Sequence, residues 1–259
     1  MKEQINWITP TEANEYLYEQ LVELLKPEGF TEYAYQANTL LRAREHYIQM
    51  VCREIREEES IIRLTVAPLW TYRESRCFGR DIRLKYGDSV AYGRNNYTII
   101  AFKQGTSKRV FYKLDELIQV WDTAISPQLR GEVIDFYDRM HFDDYVHYCE
   151  EESDKIWDFG YTDSESRFFT RGYNCLWKKQ YGDAKEYLEK AIAESEKYLN
   201  MLEAWGEQAD SGYLQDMNTG KEIVEILSQR KPGWEETVQV RLEQLERDVL
   251  EKKGITLSI

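Results

Sequence analysis

Residues 46–69 read HYIQMVCREIREEESIIRLTVAPL. In the first half Ile48, Met50 and Cys52 recur at every second position. In the second half Ile62, Leu64 and Val66 do the same, with Arg63 and Thr65 between them. An apolar period of two marks β-strands rather than helix. The Glu57-Glu58-Glu59 run between the two halves reads as a solvated hairpin turn. Alternation with a polar side predicts antiparallel strands with one face on a core and the other in water.

Working outward, the same texture continues on both sides. Phe30 to Gln36 and Thr39 to Arg44 precede the hairpin, and Asp81 to Lys85, Val90 to Tyr92 and Tyr97 to Phe102 follow it. Gly87-Asp88 and Asn95-Asn96 are turn signals. A sheet of five to seven strands is expected. Before it, Thr11 caps a helix with Ala13, Leu17, Leu21 and Leu24 on one face, stopped by Pro27 and Gly29. That helix should pack on the dry face of the sheet.

After Phe111 the period becomes 3.6. Leu114, Leu117, Ile118, Trp121 and Ile125 form one stripe, which Pro127 is expected to break, and a second helix runs from Gly131 to Met140. From Glu165 the chain reads as helical hairpins. Phe168, Gly172 and Cys175 share one helix face, and Ala184, Leu188 and Ala191 share the next. A third helix spans 202–229, interrupted near Gly212 or Gly220. The last carries Trp234, Val238, Leu242, Leu245 and Val249 and ends at Gly254. The expected fold class is α+β: an N-terminal helix packed on an antiparallel sheet with closing helices, followed by an all-helical hairpin-type C-terminal region. The expected division is an α+β domain over 1–155 and a helical domain over 156–259.

The net charge of −13 is uneven. Residues 1–112 hold 16 basic and 15 acidic side chains, a net of +1, and residues 113–259 hold 18 and 32, a net of −14. A strongly acidic half repels phosphate backbones and anionic lipid, which argues against nucleic acid and favours a basic protein or peptide as partner. No apolar run approaches the length of a membrane span, so no membrane association is expected. The opening MKEQINWITPTEANEY lacks the pattern of a secretory signal, and Cys52, Cys77, Cys149 and Cys175 are scattered without a CxxC. Free thiols and a cytoplasmic location are the expectation. The sequence does not indicate an oligomeric state.

Residues 168–191, FFTRGYNCLWKKQYGDAKEYLEKA, resemble one tetratricopeptide unit. Gly172 stands where two helices cross closely, Tyr181 at the turn, and Ala184, Leu188 and Ala191 along the second helix. Arg171 and Cys175 depart from the motif, which has Leu and Tyr there. The first 150 or so residues resemble an uncharacterised bacterial domain family on Gly29-Phe30, a strand with Arg42 or Arg44, Tyr47-Ile48-Gln49, and Trp121 in a closing helix. That resemblance implies the α+β fold and no reaction. Some members are similar to immunity proteins that neutralise bacterial toxins.

Candidate sites are few. Arg76, Arg80 and Arg83, if they share a face, could hold an anionic ligand by fork hydrogen bonds, or could pair with the protein's own carboxylates. Asp143, Asp144, Glu150, Glu151 and Glu152 offer an acidic junction for a basic partner. His141 and His147 lie close in sequence, yet six residues apart on a helix they point in different directions, which disfavours a metal site. Tyr86, Tyr92 and Tyr97 could stack bases but suit cross-strand packing better. Neither a Walker loop, nor GxGxxG, nor GxSxG is present, so no cofactor and no catalytic residue is assigned. Three functions remain open: a non-enzymatic protein-binding module, including the immunity type; a small-ligand binder or enzyme using the sheet arginines; and a helical-repeat adaptor.

Overall fold

The computed structural model describes residues 7–56, 59–71, 78–86, 98–101, 112–149 and 164–255. The strands are β1 (Trp7–Ile8), β2 (Thr31–Glu32), β3 (Thr39–Arg44), β4 (Tyr47–Arg56), β5 (Glu59–Pro68), β6 (Phe78–Tyr86), β7 (Thr98–Ala101) and β8 (Tyr112–Lys113). β2 to β7 form one sheet in chain order, antiparallel except for the parallel β6–β7 pair, and β1 pairs with β8. The fold is α+β with a helical C-terminal region. The expected strand at Val90 to Tyr92 lies outside the described residues.

The expectation of one wet face fails, and strand register shows why. Arg56 pairs with Glu59, so the β4–β5 connection is two residues long. Val51 then faces Leu64, and Met50 faces Thr65. Ile48, Met50 and Cys52 therefore lie on one face, and Ile62, Leu64 and Val66 on the other. Both sets are buried. One face, with Leu40, Tyr47, Val51, Ile62, Leu64, Val66 and Ile82, belongs to a first core. The other, with Leu41, Ile48, Met50, Cys52 and Ala67, belongs to a second.

Helix α1 (Pro10–Leu25) covers the first face through Ala13, Leu17, Leu21 and Leu24. Its cap is Thr9 rather than Thr11. Pro10 fixes the first helical position, and Glu12 reaches back to the Thr9 N–H at 2.7 Å. The chain is then helical from Leu114 to Asp138, with α2 (Leu114–Val120), α3 (Ser126–Leu129) and α4 (Asp135–Asp138) joined by π turns at Trp121–Ile125 and Arg130–Ile134. Pro127 does not break it. The widened π turn just before it relieves the clash between the ring and the carbonyl four residues back. Short α5 (Phe142–His147) follows.

A polar cluster fixes this layer to the sheet. Arg42 donates to Gln49 Oε1 at 2.8 Å, to the Glu28 carbonyl at 3.0 Å and to Asp138 at 2.8 Å. Its guanidinium lies 4.5 Å from the Phe30 ring centroid. The Tyr137 hydroxyl sits between two strand carbonyls, 2.6 Å from Met50 and 2.8 Å from Thr65.

The second face is covered by α6 (Ser164–Trp177), α7 (Tyr181–Trp205), α8 (Ser211–Gln229) and α9 (Trp234–Lys252). Trp70, just past β5, stacks on Tyr173 with centroids 5.4 Å apart. In the α6–α7 hairpin, a Cβ on Gly172 would meet Leu188 at 2.8 Å, so only glycine allows this crossing. The expected interruption at Gly212 or Gly220 falls instead at Gly206, where φ of +73° ends α7 and Asp210 caps α8. Gly212 and Gly220 lie inside α8, and Gly220 admits Phe169, which would stand 2.6 Å from an added Cβ. The expected division near 155 falls in residues 150–163, outside those described. The second core spans it, since sheet and helical residues share one cluster.

His46, at the β3–β4 turn with φ of +67°, joins the layers. Its ring stacks on Trp177 at 3.6 Å and meets Phe142 edge-on at 5.1 Å, and its Nδ1 lies 3.0 Å from Glu246 on α9. Burial pushes the Glu246 carboxyl above its usual range, against the opposing pull of His46.

Two outcomes follow from these contacts. Tyr137→Phe leaves two buried carbonyls without the hydroxyl and should cost about 1–3 kcal/mol in urea unfolding. A carboxyl raised in the folded state contributes stability below its unfolded pKa and loses it as pH rises through the folded value. Glu246→Gln removes that ionisation, so its stability relative to wild type should climb with pH across that window. Urea unfolding in steps from about pH 4 to pH 7 reads the difference, which spans the usual and raised carboxyl range.

Candidate functional site

Two of the three candidate arginines, Arg80 and Arg83, belong to β6. In the strand register Arg80 stands opposite Leu64 and Arg83 opposite Ile61. Arg76 lies outside the described residues, as do Glu150, Glu151 and Glu152. Asp143 and Asp144 are exposed, but both have partners within the chain. Lys178, in the turn after α6, donates to Asp143 at 2.8 Å and holds that carboxyl below its usual range. Asp144 accepts from the His141 N–H at 2.9 Å and so caps α5. Among the described residues no group of three or more His, Cys, Asp and Glu could hold a metal ion. Cys52, Cys149 and Cys175 are buried and stand outside any disulfide, and Cys77 lies outside the described residues. No helix among the described residues is long and apolar enough to cross a membrane.

A different surface gathers aromatic and acidic side chains: the end where α7 turns into α8. Helix α7 has 25 residues against 14 in α6, so its last turns run past the start of its hairpin partner. There Leu202 is buried, while Tyr198, Met201 and Trp205, spaced three and four apart on one flank, are 39%, 38% and 65% exposed. Tyr198 leans on Tyr213 of α8 at 5.2 Å between centroids, which holds its ring in place. Leu214 in the first turn of α8 is exposed as well.

Charge around this ladder is one-sided. Residues 181–210 carry eight acidic side chains and three lysines. Those lysines are engaged locally: Lys185 with Glu189, Lys190 with Glu186, and Lys197 with Glu194. Lys221 of α8 reaches Glu196 at 2.7 Å. Glu203 and Glu207, which bracket Trp205, form no ion pair among the described residues. The result is an exposed indole with a carboxylate on either side in sequence. The spacing of Tyr198, Met201 and Trp205 was readable in the sequence. Their exposure was not, because it depends on how far α7 outruns α6.

Searches against protein-family models, curated proteins and solved structures found no match.

If this ladder is a binding surface and not packing, its residues should be dispensable for folding. Trp205→Ser should leave the urea midpoint within about 0.5 kcal/mol of wild type, as surface changes do. Phe169→Ala, in the second core beneath, should cost about 3–5 kcal/mol.

Proposed function

We propose that the protein is a non-enzymatic binding module, and that the α7–α8 end receives a basic segment of another protein. The observation that carries this reading is Trp205, 65% exposed between Glu203 and Glu207. An Arg guanidinium stacks on an indole or phenol face and forks onto carboxylates, so the ladder and its acidic rim match the two recognition modes of arginine. Exposed Trp and Tyr are the residue types that dominate protein interfaces once water is excluded. The excess acidity of residues 113–259 adds long-range attraction for a basic partner and speeds encounter. Within this reading, immunity-type neutralisation of a basic toxin domain is one role: the acidic surface would occlude the toxin's own basic face.

The adaptor reading finds less support in the geometry. An adaptor holding peptide along α6 would need the face of α6 that already packs on Trp70 through Phe169 and Tyr173.

The test is affinity capture from the source organism, followed by purification of the captured protein and titration. A partner with a strongly basic surface is expected, bound at least ten-fold more weakly by Trp205→Ala and by the Glu203→Gln/Glu207→Gln pair, and released as salt is raised. Equal affinity of these variants, an acidic partner, or self-association of the chain through Trp205 in gel filtration would each count against the reading.

A further inference from the structure

A small chamber lies where the sheet, α6 and α9 meet. Its walls include His46, Trp70, Asn174, Trp177, Leu242 and Glu246, and its volume is about 10 Å³. We infer that this chamber is a binding site for a single water molecule that bridges Asn174 and Glu246.

Three observations fix the occupant. The first is size. One water needs roughly 10–15 Å³, and this volume lies at the lower end of that range. The second is Asn174, 3% exposed, whose amide nitrogen is buried without a hydrogen-bond acceptor among the described residues. A buried amide N–H left unsatisfied costs about 1–3 kcal/mol, so an acceptor at this wall is strongly favoured. The third is Glu246, whose carboxylate meets His46 Nδ1 through Oε1 at 3.0 Å and has further acceptor capacity. The occupant must therefore accept from Asn174 and donate to Glu246. A cation cannot accept from an amide N–H, and an anion is repelled by the carboxylate. Water does both.

Such a water would join α6 to α9 at the point where His46 enters from the sheet. The layer junction would then be held by one bridging molecule as well as by the stack of His46 on Trp177. It would also give the buried Glu246 carboxylate a second partner.

Two measurements test this. A high-resolution crystal structure should show one ordered solvent peak within hydrogen-bond distance of the Asn174 amide and the Glu246 carboxylate. A dry chamber, or a peak refining as an ion, overturns the inference. Magnetic relaxation dispersion of labelled water counts long-lived internal waters in solution. Asn174→Leu, which fills the chamber and removes the amide, should lose one such water relative to wild type. An unchanged count in a variant that keeps the wild-type near-ultraviolet circular dichroism overturns it as well. If the leucine variant does not fold, the wild-type crystal measurement decides alone.

Discussion

The two-residue connection between β4 and β5 is the constraint on which the rest of the structure depends. With Arg56 opposite Glu59, an even-numbered residue of β4 shares its face with an odd-numbered residue of β5. Ile48, Met50 and Cys52 must then face away from Ile62, Leu64 and Val66. A connection one residue longer would flip every side chain of β5 to the other face and bring both sets together. As it stands each face carries an apolar set, and each must be covered. Helix α1 and the helices from Leu114 to His147 cover one, and α6 to α9 cover the other. The helical half supplies the second cover of the sheet rather than hanging from it.

A sheet dry on both sides leaves its polar residues without water. Gln49 and Arg42 form a cross-strand pair and are 0% and 6% exposed. Their polar groups are met by Glu28, Tyr47, Tyr137 and Asp138. Replacing such a cluster by well-packed apolar groups is often neutral or stabilising, whereas removing one member strands the others. Its effect here is positional. The bonds to Glu28, Tyr137 and Asp138 tie the sheet to the segment before it and to the closing helices, so α4 cannot slide along the strands without breaking several at once.

Much of this was legible. The α1 face, the position of β3, the hairpin and the seam of α9 follow from periodicity, because each is set by neighbours a few residues away. The α6–α7 hairpin follows from Gly172, whose missing side chain is a local requirement for Leu188 to approach. The second dry face was readable only by counting across the turn: period 2 in each strand says that one face is apolar, not which face of the neighbour it shares. Pro127 misled because a π turn, invisible to the 3.6 pattern, absorbs it. The break falls at Gly206, because Gly212 and Gly220, which look like breaks, lie one in the first turn of α8 and the other where it makes room for Phe169.

With both sheet faces covered, apolar side chains gather at the surface where one helix outruns its neighbour. Helix α7 does so, and Trp205 sits at its last residue. A Trp side chain offers about 150–250 Å² of contact area. With 65% of the residue exposed, about 3 kcal/mol of transfer free energy is left for a partner at roughly 25 cal/mol per Å². That is enough for an anchor and not enough for a complex, so the rim must decide which partner gains it. Glu203 and Glu207 would stand opposite their own counterparts in any symmetric pairing through Trp205. At physiological ionic strength such charges interact across about 8 Å, so the carboxylates that favour a basic segment also oppose a second copy of the chain.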